Sequence, residues 1–167
     1  SMLELRLRNL SVDNGRIKTR AEVTAVLNTL GQSLRPEIRA GLSYDPGRQN
    51  LEIADFFLGM EKLRINGQFT AGFSNGGFSV AGHLEHAGLS LPRWFQFGRN
   101  LPGSLQYALD DISGSMDFDL NQDRLEVERM VTRVLGMTLT GRGGTPDFAA
   151  PVVVIEGSGP FLDVNAL

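Results

Sequence analysis

One stretch of this chain occurs twice, and that repetition limits its fold more than any other feature. Leu51 to Gly67 reads LEIADFFLGMEKLRING, and 74 positions later (125 − 51) Leu125 to Gly141 reads LEVERMVTRVLGMTLTG. Leu51, Glu52 and Ile53 fall on Leu125, Glu126 and Val127, while Leu63, Ile65 and Gly67 fall on Met137, Leu139 and Gly141. Upstream, Ile38, Leu42, Tyr44 and Asp45 fall without a gap on Ile112, Met116, Phe118 and Asp119. Downstream, Phe78 and Val80 fall on Val152 and Val154, after which the match slips by one residue. What persists is alternation of apolar and polar residues, which specifies one buried face of a strand rather than any chemistry. Units of that kind extend one sheet side by side. The expected fold is mainly β: a curled antiparallel β-meander built from two similar repeats, approximately 38–88 and 112–165, with one or two short helices in its connections.

The rest of the chain fits that scheme. Leu3 to Leu10 alternates strictly, with Leu3, Leu5 and Leu7 on one side and Glu4, Arg6 and Arg8 on the other, the pattern of a half-buried strand. Asp13-Asn14-Gly15 and Asp45-Pro46-Gly47 read as turns, as does Asn75-Gly76-Gly77. Val26, Leu27 and Leu30 stand at helical spacing, which predicts a short helix within Val23 to Leu34 that ends near Gly31. Phe56-Phe57 breaks the alternation and predicts a bulge or bend there, and Gly59 a reversal soon after. Ser90 to Pro102 interrupts the β rhythm. Pro92 suits a first helical turn and Trp94, Phe95 and Phe97 form an aromatic cluster, so a short helical connection is expected over 90–102, with Trp94 or Phe95 packed on the sheet. Gly141-Arg142-Gly143-Gly144 and Gly157-Ser158-Gly159 read as turns, and Phe161 to Ala166 as a last strand.

Composition narrows the function classes. At 167 residues the chain is one domain, or one built from two similar halves. Its net charge of −3 argues against a nucleic-acid partner, because phosphate binding needs a basic surface. It has no cysteine, which removes disulfides and thiolate metal sites. No apolar run is long enough for a membrane-spanning helix. Ser1-Met2 reads as a cloning remnant, and the chain as an excised piece of a longer protein.

No catalytic constellation emerges. His83 and His86 are the two histidines, and three residues apart on a strand they point to opposite faces, so they do not share a metal. Asp117, Asp119, Glu126 and Glu128 crowd one hairpin, but Arg124 and Arg129 lie among them and no EF-hand loop is present. Neither glycine-rich stretch has the phosphate-loop pattern, and no serine sits in a nucleophile elbow. The expectation is a non-enzyme without metal or cofactor. A carbohydrate-active β enzyme would rest only on scattered carboxylates, with no acid pair placed.

The second half resembles the AsmA family of bacterial envelope proteins, relatives of TamB and other repeating β-groove proteins. The residues that carry the resemblance are LSLPRWFQFGRNLP (89–102) and DDISGSMDFDLNQDRLEVERMVTRVLGMTLTGRGGTPDFAAPVVVIEGSGPFLDVNAL (110–167). Leu125, Val127, Leu139, Gly141, Val152 to Ile155, Leu162 and Val164 occupy the places of the family's alternating strand pair and its Val-rich strand. The first half resembles it through the repeat. The resemblance implies the periplasmic portion of an inner-membrane-anchored protein whose antiparallel sheet forms an apolar groove for phospholipid, serving outer-membrane homeostasis. It implies no catalytic residues. The N-terminal anchor of such proteins is not among these residues.

The expected groove lining is Leu51, Ile53, Leu63, Ile65, Phe69, Phe78 and Val80 with Leu125, Val127, Met137, Leu139, Val152 and Val154. The expected partners are a phospholipid or other acyl-chain lipid and the neighbouring repeats of the parent protein. Strand addition at an open edge of the isolated fragment would give a homo-oligomer. The rival expectation is a structural or assembly module of the envelope that engages protein partners through its sheet edges.

Overall fold

The computed structural model describes residues 2–29, 32–74, 77–94, 103, 106, 109–148 and 154–158. Eleven strands form in chain order: β1 (Met2–Asp13), β2 (Arg16–Thr29), β3 (Gln32–Leu34), β4 (Glu37–Asp45), β5 (Asn50–Met60), β6 (Leu63–Ser74), β7 (Gly77–Leu89), β8 (Ile112–Asn121), β9 (Leu125–Val134), β10 (Met137–Thr145) and β11 (Val154–Ser158). They make one sheet in the order β1-β2-β4-β5-β6-β7-β8-β9-β10-β11, with β3 paired to the far end of β2. Every ladder is antiparallel. Short connections leave a meander no alternative, because parallel neighbours need a long crossover.

The two repeats correspond pair by pair in their central hairpins. In β5–β6, Leu51 faces Ala71, Ile53 faces Phe69, Phe56 faces Gly67, Leu58 faces Ile65 and Met60 faces Leu63. Adding 74 to each number gives the β9–β10 pairs Leu125–Thr145, Val127–Gly143, Met130–Gly141, Thr132–Leu139 and Val134–Met137. The register breaks at the same place too, between Ile53 and Phe56 in one copy and between Val127 and Met130 in the other. Each break inserts an extra residue and bends the strand. The first turn residues, Glu61 (φ 56) and Leu135 (φ 57), share a left-handed backbone.

Flanking strands follow the repeat less closely. Tyr44 pairs with Leu51, whereas Leu125 pairs with Leu120 rather than with Phe118, so β8 is displaced by two residues and keeps its facing. On the other side the displacement is one residue. Val80 is aligned with Ala71, but Val154 is aligned with Gly144 and Ile155 with Gly143. A one-residue slip moves a position to the opposite side of a sheet.

Several local expectations are corrected. The described residues of Val23 to Leu34 are strand, not helix: β2 runs to Thr29 and β3 pairs back on it, Leu27 opposite Leu34. Val23 is held between Leu5 of β1 and Ile38 of β4, and ladders on both sides outweigh a weak helical spacing. The expected bulge of β5 is present: Asp55-Phe56 stand against Ala40 on the β4 side and Ala54-Asp55 against Gln68 on the β6 side, with Asp55 at φ 50. Gly59 stays inside β5 opposite Glu37, and the reversal falls at Glu61-Lys62. Gly141 to Gly144 is strand, not turn, paired on both sides. The reason is close approach, since a Cβ at Gly144 would stand 2.1 Å from the Leu125 carbonyl oxygen. Gly157 and Ser158 likewise belong to β11. A short helix, α1, forms at Leu91–Trp94. Phe95 to Pro102 and Phe161 to Ala166 lie outside the described residues.

Among the described residues, extensive contact between elements is confined to strands that share a hydrogen-bonded ladder. The described residues form no second layer on the sheet.

Candidate functional site: an uncovered apolar face

Directly opposed residues in a sheet project to the same side, so the registers can be followed across the whole ladder. One row runs Val12, Ile17, Tyr44, Leu51, Ala71, Val80, Leu120, Leu125, Thr145. The next runs Thr19, Leu42, Ile53, Phe69, Gly82, Phe118, Val127, Gly143. Leu3, Leu5 and Leu7 of β1 stand on this side through their partners Ala25, Val23 and Ala21. Outside the bulges, no described strand places Lys, Arg, Asp or Glu there. The charges gather on the other side, in cross-strand pairs such as Arg8–Glu22 (3.2 Å), Arg16–Asp45 (3.5 Å) and Arg142–Glu156 (2.6 Å).

Along β1 the apolar side is exposed: Leu3 is 73% accessible, Leu5 and Leu7 61%, and Val12 72%. Across the middle strands it is half-buried, with Ala40, Leu63, Ala71 and Ile112 buried. Phe73 and Phe78, paired at the β6–β7 turn, are also exposed. No large side chain among the described residues is fully buried. The accessible surface is 11402 Å², against about 8,100 Å² for a globular monomer of this mass by the usual scaling. The excess is what a single open sheet leaves accessible.

At its middle the face is aromatic. Phe69 meets Phe56 edge-on at 5.2 Å between ring centroids and Phe118 at 5.9 Å. Glycine makes room for these rings. A Cβ at Gly82 would come within 2.7 Å of the Phe69 ring and 2.4 Å of the Gln68 carbonyl oxygen.

Leu51, Ile53, Leu63, Ile65, Phe69, Phe78, Val80, Leu125, Val127, Met137 and Leu139 all belong to this side. Val152 lies outside the described residues. Val154 pairs in register with Gly144, one residue away from the place its repeat counterpart Val80 would give it. The slip in β11 is the cause. Sequence reasoning missed Phe56, Met116, Phe118, Leu120 and the β1 leucines as part of the same surface. The alternation of β1 was visible, but not that β2 and β4 would carry it into the same face.

No protein-family model, curated protein or solved structure matches this chain.

The histidines divide between the two sides. On the polar side, His83 Nδ1 lies 2.6 Å from Asp117 Oδ1, with Glu85 3.7 Å from Nε2. The hydrogen bond to Asp117 holds the His83 pKa above its ordinary value despite some desolvation. His86 stands in register between Ile65 and Gly114 on the apolar side. Burial lowers its pKa, opposed by a backbone hydrogen bond at Ile112, and its Nδ1 is enclosed without a partner. Among the described residues no three His, Cys, Asp or Glu side chains gather around a metal-sized site. Asp119 pairs directly with Glu126, and Arg124 lies 3.7 Å from that Glu126.

Proposed function

We propose that this chain is a non-catalytic, lipid-binding segment of an AsmA-like cell-envelope protein, which holds or conducts phospholipid along its apolar face for outer-membrane homeostasis. The observation that supports it is a face that crosses ten strands without a charged side chain outside the bulges, and on which no other described element packs. At about 4.8 Å per strand, nine intervals give a trough about 43 Å across. Acyl chains need no directional partner, and each methylene buried there contributes about 0.8 kcal/mol. Ten methylenes then give about 8 kcal/mol before the cost of ordering the chain. The periplasmic placement and the membrane anchor of the parent belong to the same proposal and follow from the family resemblance.

The test is organic extraction of the protein purified from a bacterial envelope, followed by mass spectrometry of the extract and exchange with a fluorescent fatty acid. Bound, exchangeable phospholipid is expected. Val80→Lys should abolish binding while the sheet stays folded, because the new charge reaches water on an uncovered face. A protein with neither bound nor exchangeable lipid would defeat the reading.

A further inference from the structure

Outside the bulges, the described strands place no charged residue on the apolar side, and one group there titrates near neutral pH: His86. β7 sets it in register between Ile65 of β6 and Gly114 of β8. The missing side chain at Gly114 gives the imidazole its seat, since a Cβ there would stand 3.0 Å from His86 Nε2. The ring bonds to the Ile112 backbone, and because Nδ1 has no partner, Nε2–H is the donor. Nδ1 is enclosed as well as unpartnered. A proton that charges the ring is therefore taken at an atom shut off from solvent, where a charge is costly.

Among the described residues, nothing around the ring would neutralise that charge. On the same side β6 presents Leu63, Ile65 and Gly67, while β8 presents Ile112, Gly114 and Met116. Arg64 and Glu85, adjacent in sequence to these positions, face the polar side. At the rim Lys62 pairs with Asp110 at 3.6 Å, and Asp111 is exposed to water. His83 lies across the sheet, held by Asp117.

We propose that His86 is a proton switch for the lipid face: the neutral imidazole is part of the bed on which acyl chains lie, and protonation at Nδ1 sets an unpaired charge beneath them and releases them. This rests on the lipid reading of the face. An acyl chain laid over the ring removes what water could still reach the charge, so lipid binds the neutral form and competes with the proton. Linkage fixes the sign. Affinity is full above the ring's pKa in the lipid-free protein and is lost as pH falls through it, by at most about tenfold per pH unit for one proton. Reciprocally, bound lipid lowers that pKa. Burial lowers it even without lipid, which keeps the face in its binding form at neutral pH and places the loss in the acidic range.

The test is titration of the delipidated full chain with a phosphatidylcholine labelled on one acyl chain, a probe whose own charge does not change between pH 5 and 8. Circular dichroism at each pH confirms that the sheet is intact. The expected result is a loss of affinity of roughly threefold or more between pH 8 and pH 5. His86→Leu should bind with one affinity throughout, and His83→Gln, altered on the other side of the sheet, should keep the parent's loss. With two histidines in the chain, proton NMR reads the rings directly. The His86 titration should move to lower pH when the probe binds, and the His83 titration should not. A level or rising affinity on acidification, a loss that persists in His86→Leu, or a His86 titration unmoved by bound probe would each overturn the switch and leave lipid binding intact. Failure to bind the probe at any pH would instead defeat the lipid reading, and the switch with it.

Discussion

Phe69→Ala removes the ring that ties β5, β6 and β8 together. That ring touches Phe56 on one side and Phe118 on the other, at 5.2 and 5.9 Å, and lies against the backbone at Gly82. It is half-buried, so about 120 Å² of lost burial at 25 cal/mol/Å² gives about 3 kcal/mol. That stands at the low end for a phenylalanine truncation, as suits an open face where solvent fills the gap. For a domain of this size the corresponding fall in Tm is about 6–12 °C. The assay is urea and thermal unfolding followed by circular dichroism, with Phe73→Ala as the control. Phe73 is 44% exposed at a hairpin end, and its truncation should cost about 1 kcal/mol. Equal losses for the two variants, or a loss below 1 kcal/mol at Phe69, would refute the packing argument.

Gly82→Ala should destabilise by about 2–3 kcal/mol in the same unfolding assay, because its Cβ meets the Gln68 carbonyl oxygen at 2.4 Å. Gly72→Ala, whose Cβ meets only the Ser79 hydroxyl at 3.2 Å, should stay within about 0.5 kcal/mol of the parent. Leu135→Asn should stabilise by about 1 kcal/mol, since Leu135 sits at φ 57 and asparagine tolerates that region better. The two histidines should give opposed pH dependences. His83, with a raised folded pKa, contributes stability fully below its ordinary 6.5 and loses it as pH rises through the folded value. His86, with a lowered folded pKa, contributes fully above 6.5 and loses it as pH falls through the folded value. Asp117→Asn should therefore make stability fall more steeply on acidification across this window, and His86→Leu should flatten or reverse that fall, both read from urea midpoints at pH 5 to 8.

Alternation and turn chemistry determined the meander from sequence alone. Leu125 to Val134, for example, stops where Leu135-Gly136 supplies two positive φ angles in succession. The offset of 74 also located the matching hairpins, because repeated spacing between turn and bulge imposes the same register. Apolar periodicity could not say whether its face would be covered, since Leu51 in a sandwich and Leu51 in an open trough carry the same local pattern. Only the tertiary structure decided that, by packing no other described element on the sheet. It also decided which strands share a side where the repeat slips: two residues in β8 preserve the facing, while one residue in β11 reverses it. Facing is set by register between chain-distant strands, and the helical spacing of Val26, Leu27 and Leu30 lost for the same reason. The neighbouring strands β1, β4 and β3 claimed the hydrogen bonds of β2 along its length, and local propensity amounts to only a few tenths of a kcal/mol per residue against that.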